Sequence, residues 1–212
     1  MPGHTKGQGF LRVVNWLRSD FPITMPLMND SVPHSDLFSG DLGTVLRSLM
    51  EAGKCISQSV ITADTGKAGT TNSYGEEQIT MDVLAEKILE EELSKTGLVG
   101  RVGSEELEGL KSLRGEAGAA HAESEGGDGR ENFTVVYDPL DGSSLVDTNG
   151  AVGTIWGIFE NTDEGEGISL LGKTPGDMVA AGYFLYGPRT TMMLARRDQE
   201  GVKEFRLLPN GE

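Results

Sequence analysis

Val135-Val136-Tyr137-Asp138-Pro139-Leu140-Asp141-Gly142-Ser143-Ser144 is the stretch on which the reading of this chain turns. A β-branched apolar run delivers two carboxylates and a small-residue turn to one point. Val135, Val136 and Tyr137 favour a strand; Pro139 has no N–H to give a ladder, so the strand is expected to end at Asp138 and the chain to turn. Asp138 and Asp141 then stand at opposite ends of a tight turn with the Leu140 carbonyl between them. Carboxylates held that close repel unless a cation or a proton joins them, and oxygen-only ligands suit a hard cation such as magnesium or manganese. The Gly142-Ser143-Ser144 turn offers backbone N–H groups and two hydroxyls, the donors a phosphate oxygen needs. Asp-Pro or Asp-Gly alone is an ordinary surface turn. The whole run is far rarer and points to a metal-assisted phosphate site.

The run from Asp138 to Ser144 resembles the signature of the fructose-1,6-bisphosphatase family. Leu145-Val146-Asp147-Thr148-Asn149, Val152-Gly153-Thr154-Ile155 and Tyr186-Gly187-Pro188-Arg189-Thr190-Thr191 resemble its sedoheptulose-1,7-bisphosphatase branch more closely. The likeness runs from about Phe38 to the end of the chain.

Composition narrows the function classes. The chain has 212 residues, with 18 basic against 33 acidic side chains, a net charge of −15 that argues against a nucleic-acid or anionic-membrane surface. A bisphosphate would be repelled from such a surface unless metal ions neutralised the site. The single cysteine, Cys55, cannot close an intramolecular disulfide. The cysteine count fits a reducing compartment, so a cytoplasmic placement is expected ahead of a plastid one; Cys55 itself reads as a small buried residue on a helix. No apolar run approaches the roughly 20 residues of a spanning helix. The 30 glycines signal many turns between apolar segments.

Residues 1–34 read as a flexible arm and connector: a glycine-rich start, a short apolar segment from Phe10 to Arg18 suited to docking, and a proline-rich extension from Phe21 to Pro33. Ser39-Gly40-Asp41 looks like a helix start, with Leu42, Val45, Leu46, Leu49, Ile56 and Val60 at helical spacing behind it. Asp64 to Tyr74 reads as a Gly/Thr-rich loop. A second helix is expected to carry Val83, Leu84, Ile88, Leu89 and Leu93, with Asp82 near its first turn, where the helix dipole favours a carboxylate. Leu98 to Val102 is a strand candidate followed by Gly103-Ser104-Glu105-Glu106. Gly115 to Glu131 reads as an exposed insertion. Val152 to Glu160 alternates as a strand covered on both faces, with Trp156 in the core. Pro175-Gly176-Asp177 is expected to open a short helix through Val179, Ala180 and Ala181. Thr190 to Ala195 and Glu204 to Leu208 read as strands.

The resemblance implies more than the spacing does. It implies an α+β fold, helices packed on a mostly antiparallel sheet, with residues 35–212 forming the metal-binding N-terminal domain of a sugar bisphosphatase. It implies Mg-dependent hydrolysis of the 1-phosphate of a sugar bisphosphate, with sedoheptulose 1,7-bisphosphate favoured over fructose 1,6-bisphosphate. Glu105, Asp138, the Leu140 carbonyl and Asp141 would hold magnesium (or manganese). Glu106 and Asp82 would take the proton of the attacking water, and Glu76 matches a further acidic position. Gly142, Ser143 and Ser144 would hold the phosphate. The resembled enzymes continue into a second domain with another metal ligand and the distal-phosphate pocket, so residues 1–212 alone are expected to be an incomplete unit that binds magnesium weakly and is weakly active or inactive as a sugar bisphosphatase. Two other readings stay open: a non-catalytic domain acting only by association, and an inositol-monophosphatase-type enzyme. A homo-oligomer is also left open.

Two departures from the family bear on control. Gly43 and Asn132-Phe133 stand where animal members carry threonine and Lys-Tyr, residues that help hold the inhibitor AMP. Thr65 and Thr70 stand where plant sedoheptulose bisphosphatases carry a redox-sensitive cysteine pair.

Overall fold

A computed structural model of the chain describes residues 34–62, 67–71, 77–113, 132–161 and 170–208. The expected arm, the insertion before the central strand, Glu76 and the terminal Pro209 to Glu212 fall outside the described residues. Among the described residues, helices α1 (His34–Leu37) and α2 (Gly40–Thr62) come first, followed by the antiparallel pair β1 (Lys67–Thr71) and β2 (Glu77–Ile79), and then α3 (Thr80–Ser94). Seven further strands follow: β3 (Val99–Ser104), β4 (Leu110–Ser112), β5 (Phe133–Asp141), β6 (Val152–Glu160), β7 (Met178–Tyr186), β8 (Thr190–Arg196) and β9 (Val202–Arg206). They form one sheet in the order β4-β3-β5-β6-β7-β8-β9. Every neighbouring pair in it is antiparallel except β3 and β5. This is the expected α+β architecture.

Strand β5 lies inside the sheet and is buried at every position but the last. That burial is why Phe133 to Tyr137 contains no ionisable side chain except the tyrosine. Val135 and Tyr137 face α2 and α3 together with Trp156, Ile158, Phe184 and Leu194, whereas Val136 belongs to a second cluster with Phe159, Met178 and Ala181 on the opposite face. Helix α2 contributes Val45, Leu46, Leu49, Ala52 and Ile56 to the main core, a stripe at three- and four-residue steps. Helix α3 contributes Met81, Ala85, Leu89 and Leu93.

Four expectations need correction. Val83 was expected on the apolar face of α3, but it is 43% exposed because it lies off the four-residue row from Met81 to Leu93. Cys55 is on a helix as expected but is exposed, on the side of α2 away from the sheet. The loop expected from Asp64 to Tyr74 contains β1, which pairs with β2 across an irregular register. Val179, Ala180 and Ala181, expected as helix, form the start of β7 after a single 3-10 turn at Pro175–Asp177.

Two glycines explain themselves by close approach. A Cβ at Gly182 would lie 2.2 Å from the Met193 carbonyl oxygen and 2.5 Å from the Trp156 ring, so β7 crosses the indole only because residue 182 has no side chain. At Gly43 a Cβ would lie 2.1 Å from the Phe38 carbonyl, where the chain folds back from α1 into α2. Threonine cannot occupy that position in this arrangement. Asn132, the other member of that departure, also ties to the start of this helix: its side-chain amide donates to Asp41 at 2.7 Å, joining the α2 start to the entrance of β5.

Candidate active site

The parallel pair among the described strands brings the candidate residues to one edge. In parallel strands the carboxyl ends come out at the same edge, and here Val102, Gly103 and Ser104 of β3 pair with Val135, Val136 and Tyr137 of β5. Residues beyond the paired stretch therefore come out at the same edge: Glu105 and Glu106 after β3, and Asp138 to Asp141 in the last part of β5. The Glu105 N–H extends the ladder by one bond, donating to the Tyr137 carbonyl at 3.2 Å.

Helix α3 delivers Asp82 to the same edge. Lys111, whose register partner on β3 is Val102, pairs with Glu90, and the Ser104 hydroxyl donates to Glu86. Four helix residues thus span two strand residues, about 6 Å in each case, with α3 running opposite to β3. One more helical turn toward the N-terminus brings Asp82 level with Glu106. Asp82 is 6% exposed, a carboxylate enclosed in the first turn of its helix.

The Asp138–Asp141 segment is not the simple strand end expected. Register passes from Asp138 opposite Ile155 to Asp141 opposite Gly153, so three steps on β5 match two on β6. This bulge absorbs Pro139, whose missing N–H would otherwise leave a gap in the ladder. The Pro139 carbonyl is used instead, accepting from the Thr154 hydroxyl at 2.8 Å, and that hydroxyl also meets the Tyr186 phenol at 2.8 Å. Burial pushes the Tyr186 phenol well above its usual pKa. Asp138 is 4% exposed, and its Oδ1 accepts the Leu140 N–H at 3.2 Å, which fixes the carboxylate inside the bulge. Asp141 is half-buried.

Gly142 turns the chain out of the strand at φ 78°, a left-handed conformation that favours glycine. A 3-10 helix follows over Ser143–Thr148, opened by a Leu145 N–H bond to the Gly142 carbonyl at 2.8 Å. Ser143 is half-buried and Ser144 exposed. Glu105, Glu106, Asp82, Asp138, Leu140, Asp141 and Gly142 to Ser144 are thus all on, or immediately beyond, elements that end at one edge of the fold.

The donor set there is hard oxygen, carboxylates and a peptide carbonyl, the chemistry that suits magnesium. Among the described residues, no three His, Cys, Asp or Glu side chains are gathered tightly enough to form a ready cation cage. The residues fit a magnesium site in donor type and in placement, without being closed around one.

One residue of this region was passed over in the sequence. Glu86 lies one turn along α3 from Asp82, and its two oxygens receive separate hydroxyls: Ser104 Oγ on Oε2, and Tyr137 Oη on Oε1 at 3.0 Å. Burial raises its carboxyl from 4.5 to about 7; the two hydroxyl donors oppose that rise, and the Glu90 and Glu106 charges add to it. The Tyr137 phenol is raised too, by burial first and then by Glu86. A signal existed: Glu86 is four residues from Asp82 and adjoins Ala85 on the buried row of α3.

Comparison with known proteins gives a consistent set. The family profile described as Fructose-1-6-bisphosphatase, N-terminal domain, matches residues 24–212, so the match begins inside the segment read as connector. The chain is 42% identical over 162 residues to the chloroplastic sedoheptulose-1,7-bisphosphatase of Triticum aestivum, covering 76% of this chain and 37% of the relative. It is 43% identical over 158 residues to the class 1 fructose-1,6-bisphosphatase of Syntrophotalea carbinolica, covering 74% and 42%. The chain thus spans about two fifths of the length of these relatives. Among solved structures, Leishmania major fructose-1,6-bisphosphatase superposes with a TM-score of 0.67 at 28% identity, over 81% of this chain and 52% of that one.

Proposed function

The chain belongs to the fructose-1,6-bisphosphatase family, and from that membership we propose that it carries the metal- and proximal-phosphate-binding part of a site that hydrolyses the 1-phosphate of a sugar bisphosphate. The observation that supports this most is the parallel β3/β5 pair, which joins the Ser-Glu-Glu turn to the Asp-Pro-Leu-Asp-Gly bulge at a single edge. Glu105, Asp138, the Leu140 carbonyl and Asp141 would hold magnesium, with manganese as the alternative. When bound, such ions lower the pKa of water and neutralise charge on the phosphoryl group. Glu106 and Asp82, level with one another on facing elements, accept the proton that the attacking water loses. Gly142 and Ser143 receive the phosphate oxygens through their N–H groups, with the Ser144 hydroxyl beside them. Glu76, outside the described residues, keeps the subsidiary acidic role that the resemblance implies. The products are the sugar hydroxyl and inorganic phosphate.

Fructose- and sedoheptulose-bisphosphatase relatives match equally well in identity, at 43% and 42%. The segments from Leu145 to Asn149 and from Tyr186 to Thr191 favour sedoheptulose 1,7-bisphosphate as the first candidate substrate and fructose 1,6-bisphosphate as the second. The test is phosphate release by the full chain, meaning this chain extended to the length of its relatives, from both bisphosphates and from inositol 1-phosphate, with magnesium and with chelator. Magnesium-dependent release from a sugar bisphosphate and none from inositol 1-phosphate is expected. Release from inositol 1-phosphate alone, or release that chelator leaves unchanged, would overturn the assignment.

A further inference from the structure

We propose that Glu86 is a positioning residue for the Ser-Glu-Glu turn, holding Glu105 and Glu106 in working geometry through Ser104; the inference rests on the site reading above. Glu86 sits where α3, β3 and β5 converge. Ser104, the last residue of β3, and Tyr137, midway along β5, form the last register pair of the two strands and are both fully buried. Each gives its hydroxyl to a different oxygen of the Glu86 carboxyl.

The consequence for the site lies in the other side of Ser104. A hydroxyl that donates in a fixed direction has its lone pairs fixed as well, and Ser104 Oγ accepts the Glu106 N–H at 3.2 Å. The Glu105 N–H meanwhile is bound to the carbonyl of Tyr137, the other residue that Glu86 grips. Both backbone amides of the acidic pair are therefore held by the two residues whose hydroxyls Glu86 accepts: Glu106 by the Ser104 hydroxyl that Glu86 orients, and Glu105 by the ladder carbonyl of Tyr137. Loss of the carboxyl would leave two buried hydroxyls without their acceptor. Ser104 would be free to rotate toward another partner, at the expense of the Glu106 N–H.

Supporting contacts of this kind typically change activity about 10–100-fold when removed. The hydroxyls that Glu86 accepts belong to Ser104 and Tyr137 and not to the Gly142–Ser144 turn proposed to hold the phosphate, so the effect should appear in kcat rather than in KM. Glutamine at 86 retains an oxygen to accept from Tyr137 and offers an N–H to Ser104 Oγ, which still has a lone pair for Glu106. Position survives that exchange and charge does not.

The experiment compares Glu86→Ala, Glu86→Gln, Ser104→Ala and Glu106→Gln in the full chain, by steady-state kinetics and by amide hydrogen exchange without metal. Glu86→Ala and Ser104→Ala are expected to lower kcat about 10–100-fold, with KM within about twofold. Exchange at the Glu106 amide should rise about tenfold, with the β6 and β7 amides unchanged. Glu86→Gln should stay within about threefold of wild type in both readouts. If Glu86→Gln is as slow as Glu86→Ala, charge rather than position matters and the proposal falls; it falls equally if Glu86→Ala and Ser104→Ala leave kcat and Glu106 exchange unchanged. If Glu86→Ala fails to fold, Ser104→Ala and Glu86→Gln decide the matter by the same criteria. Glu106→Gln separates the two levels: retained activity there would refute the site reading, whereas lost activity with an indifferent Ser104→Ala would refute only the positioning role.

Discussion

The buried carboxyl of Glu86 should make stability fall as pH rises. Its carboxyl is raised from 4.5 to about 7, chiefly because burial disfavours the charge. Between those pH values the folded protein retains a proton that the unfolded chain has already lost. Stability therefore declines with pH across this window, opposite in sign to the usual salt-bridged carboxylate. The full separation corresponds to an upper bound of about 3 kcal/mol at pH 8, with nothing lost at pH 4.5 and below. Relaxation and water entry around the ionised group would bring the observed value to about 1–3 kcal/mol. Glu86→Gln removes the ionisation and keeps hydrogen-bonding groups toward Ser104 and Tyr137. Urea unfolding of both proteins at pH 5 and pH 8, with chelator to keep cations off the site, measures the difference. The variant should gain at least about 1 kcal/mol on wild type between the two pH values. A difference independent of pH would show that Glu86 ionises normally and would refute the burial argument.

Gly43→Thr should destabilise the protein by about 1–3 kcal/mol or more, read as a lowered Tm, because the new Cβ meets the Phe38 carbonyl. AMP should not inhibit the wild-type full chain in a phosphate-release assay, since Gly43 and Asn132 replace a hydroxyl and a cation of the family's AMP subsite; millimolar AMP halving the rate would contradict this. Gly182→Ala should cost a similar amount in Tm, by forcing β7 off the Trp156 ring and the Met193 carbonyl. Dithiothreitol should leave activity unchanged insofar as redox control depends on the segment from Asp64 to Tyr74, which contains no cysteine; a severalfold activation would place such control elsewhere.

Strands β5 and β6 were legible because both are β-branched, apolar and bounded by turn residues, and helices α2 and α3 because four-residue steps such as Leu42–Leu46 and Leu89–Leu93 are hard to produce by chance. Strand β7 was misread for a physical reason. Gly182 has no side chain because the Trp156 ring and the Met193 carbonyl lie against it, and the small run of Ala180, Ala181 and Gly182 carries no β-branched signal in sequence. The bulge was illegible because Pro139 does break a ladder locally; only the Thr154 hydroxyl, far along the chain, compensates for it. Cys55 was placed inside on residue type alone, but it sits on the outward side of an otherwise well-read helix. Among the proposed site residues, the run from Asp138 to Ser144 was singled out by its own motif, and Asp82, Glu105 and Glu106 through the family resemblance. Glu86 belongs to no motif, and its significance arises only when α3 meets Ser104 and Tyr137.

The most direct measurement is the turnover of Asp138→Asn in the full chain at saturating magnesium. Asparagine keeps the oxygen that accepts the Leu140 N–H, so the bulge should survive, as circular dichroism and Tm would show, while the charge that would hold magnesium is lost. Turnover below about a tenth of wild type, corresponding to at least about 1.4 kcal/mol of transition-state stabilisation, is the expected result. A folded Asp138→Asn protein that keeps more than a tenth of wild-type turnover would contradict the assignment of this edge as the metal-dependent site.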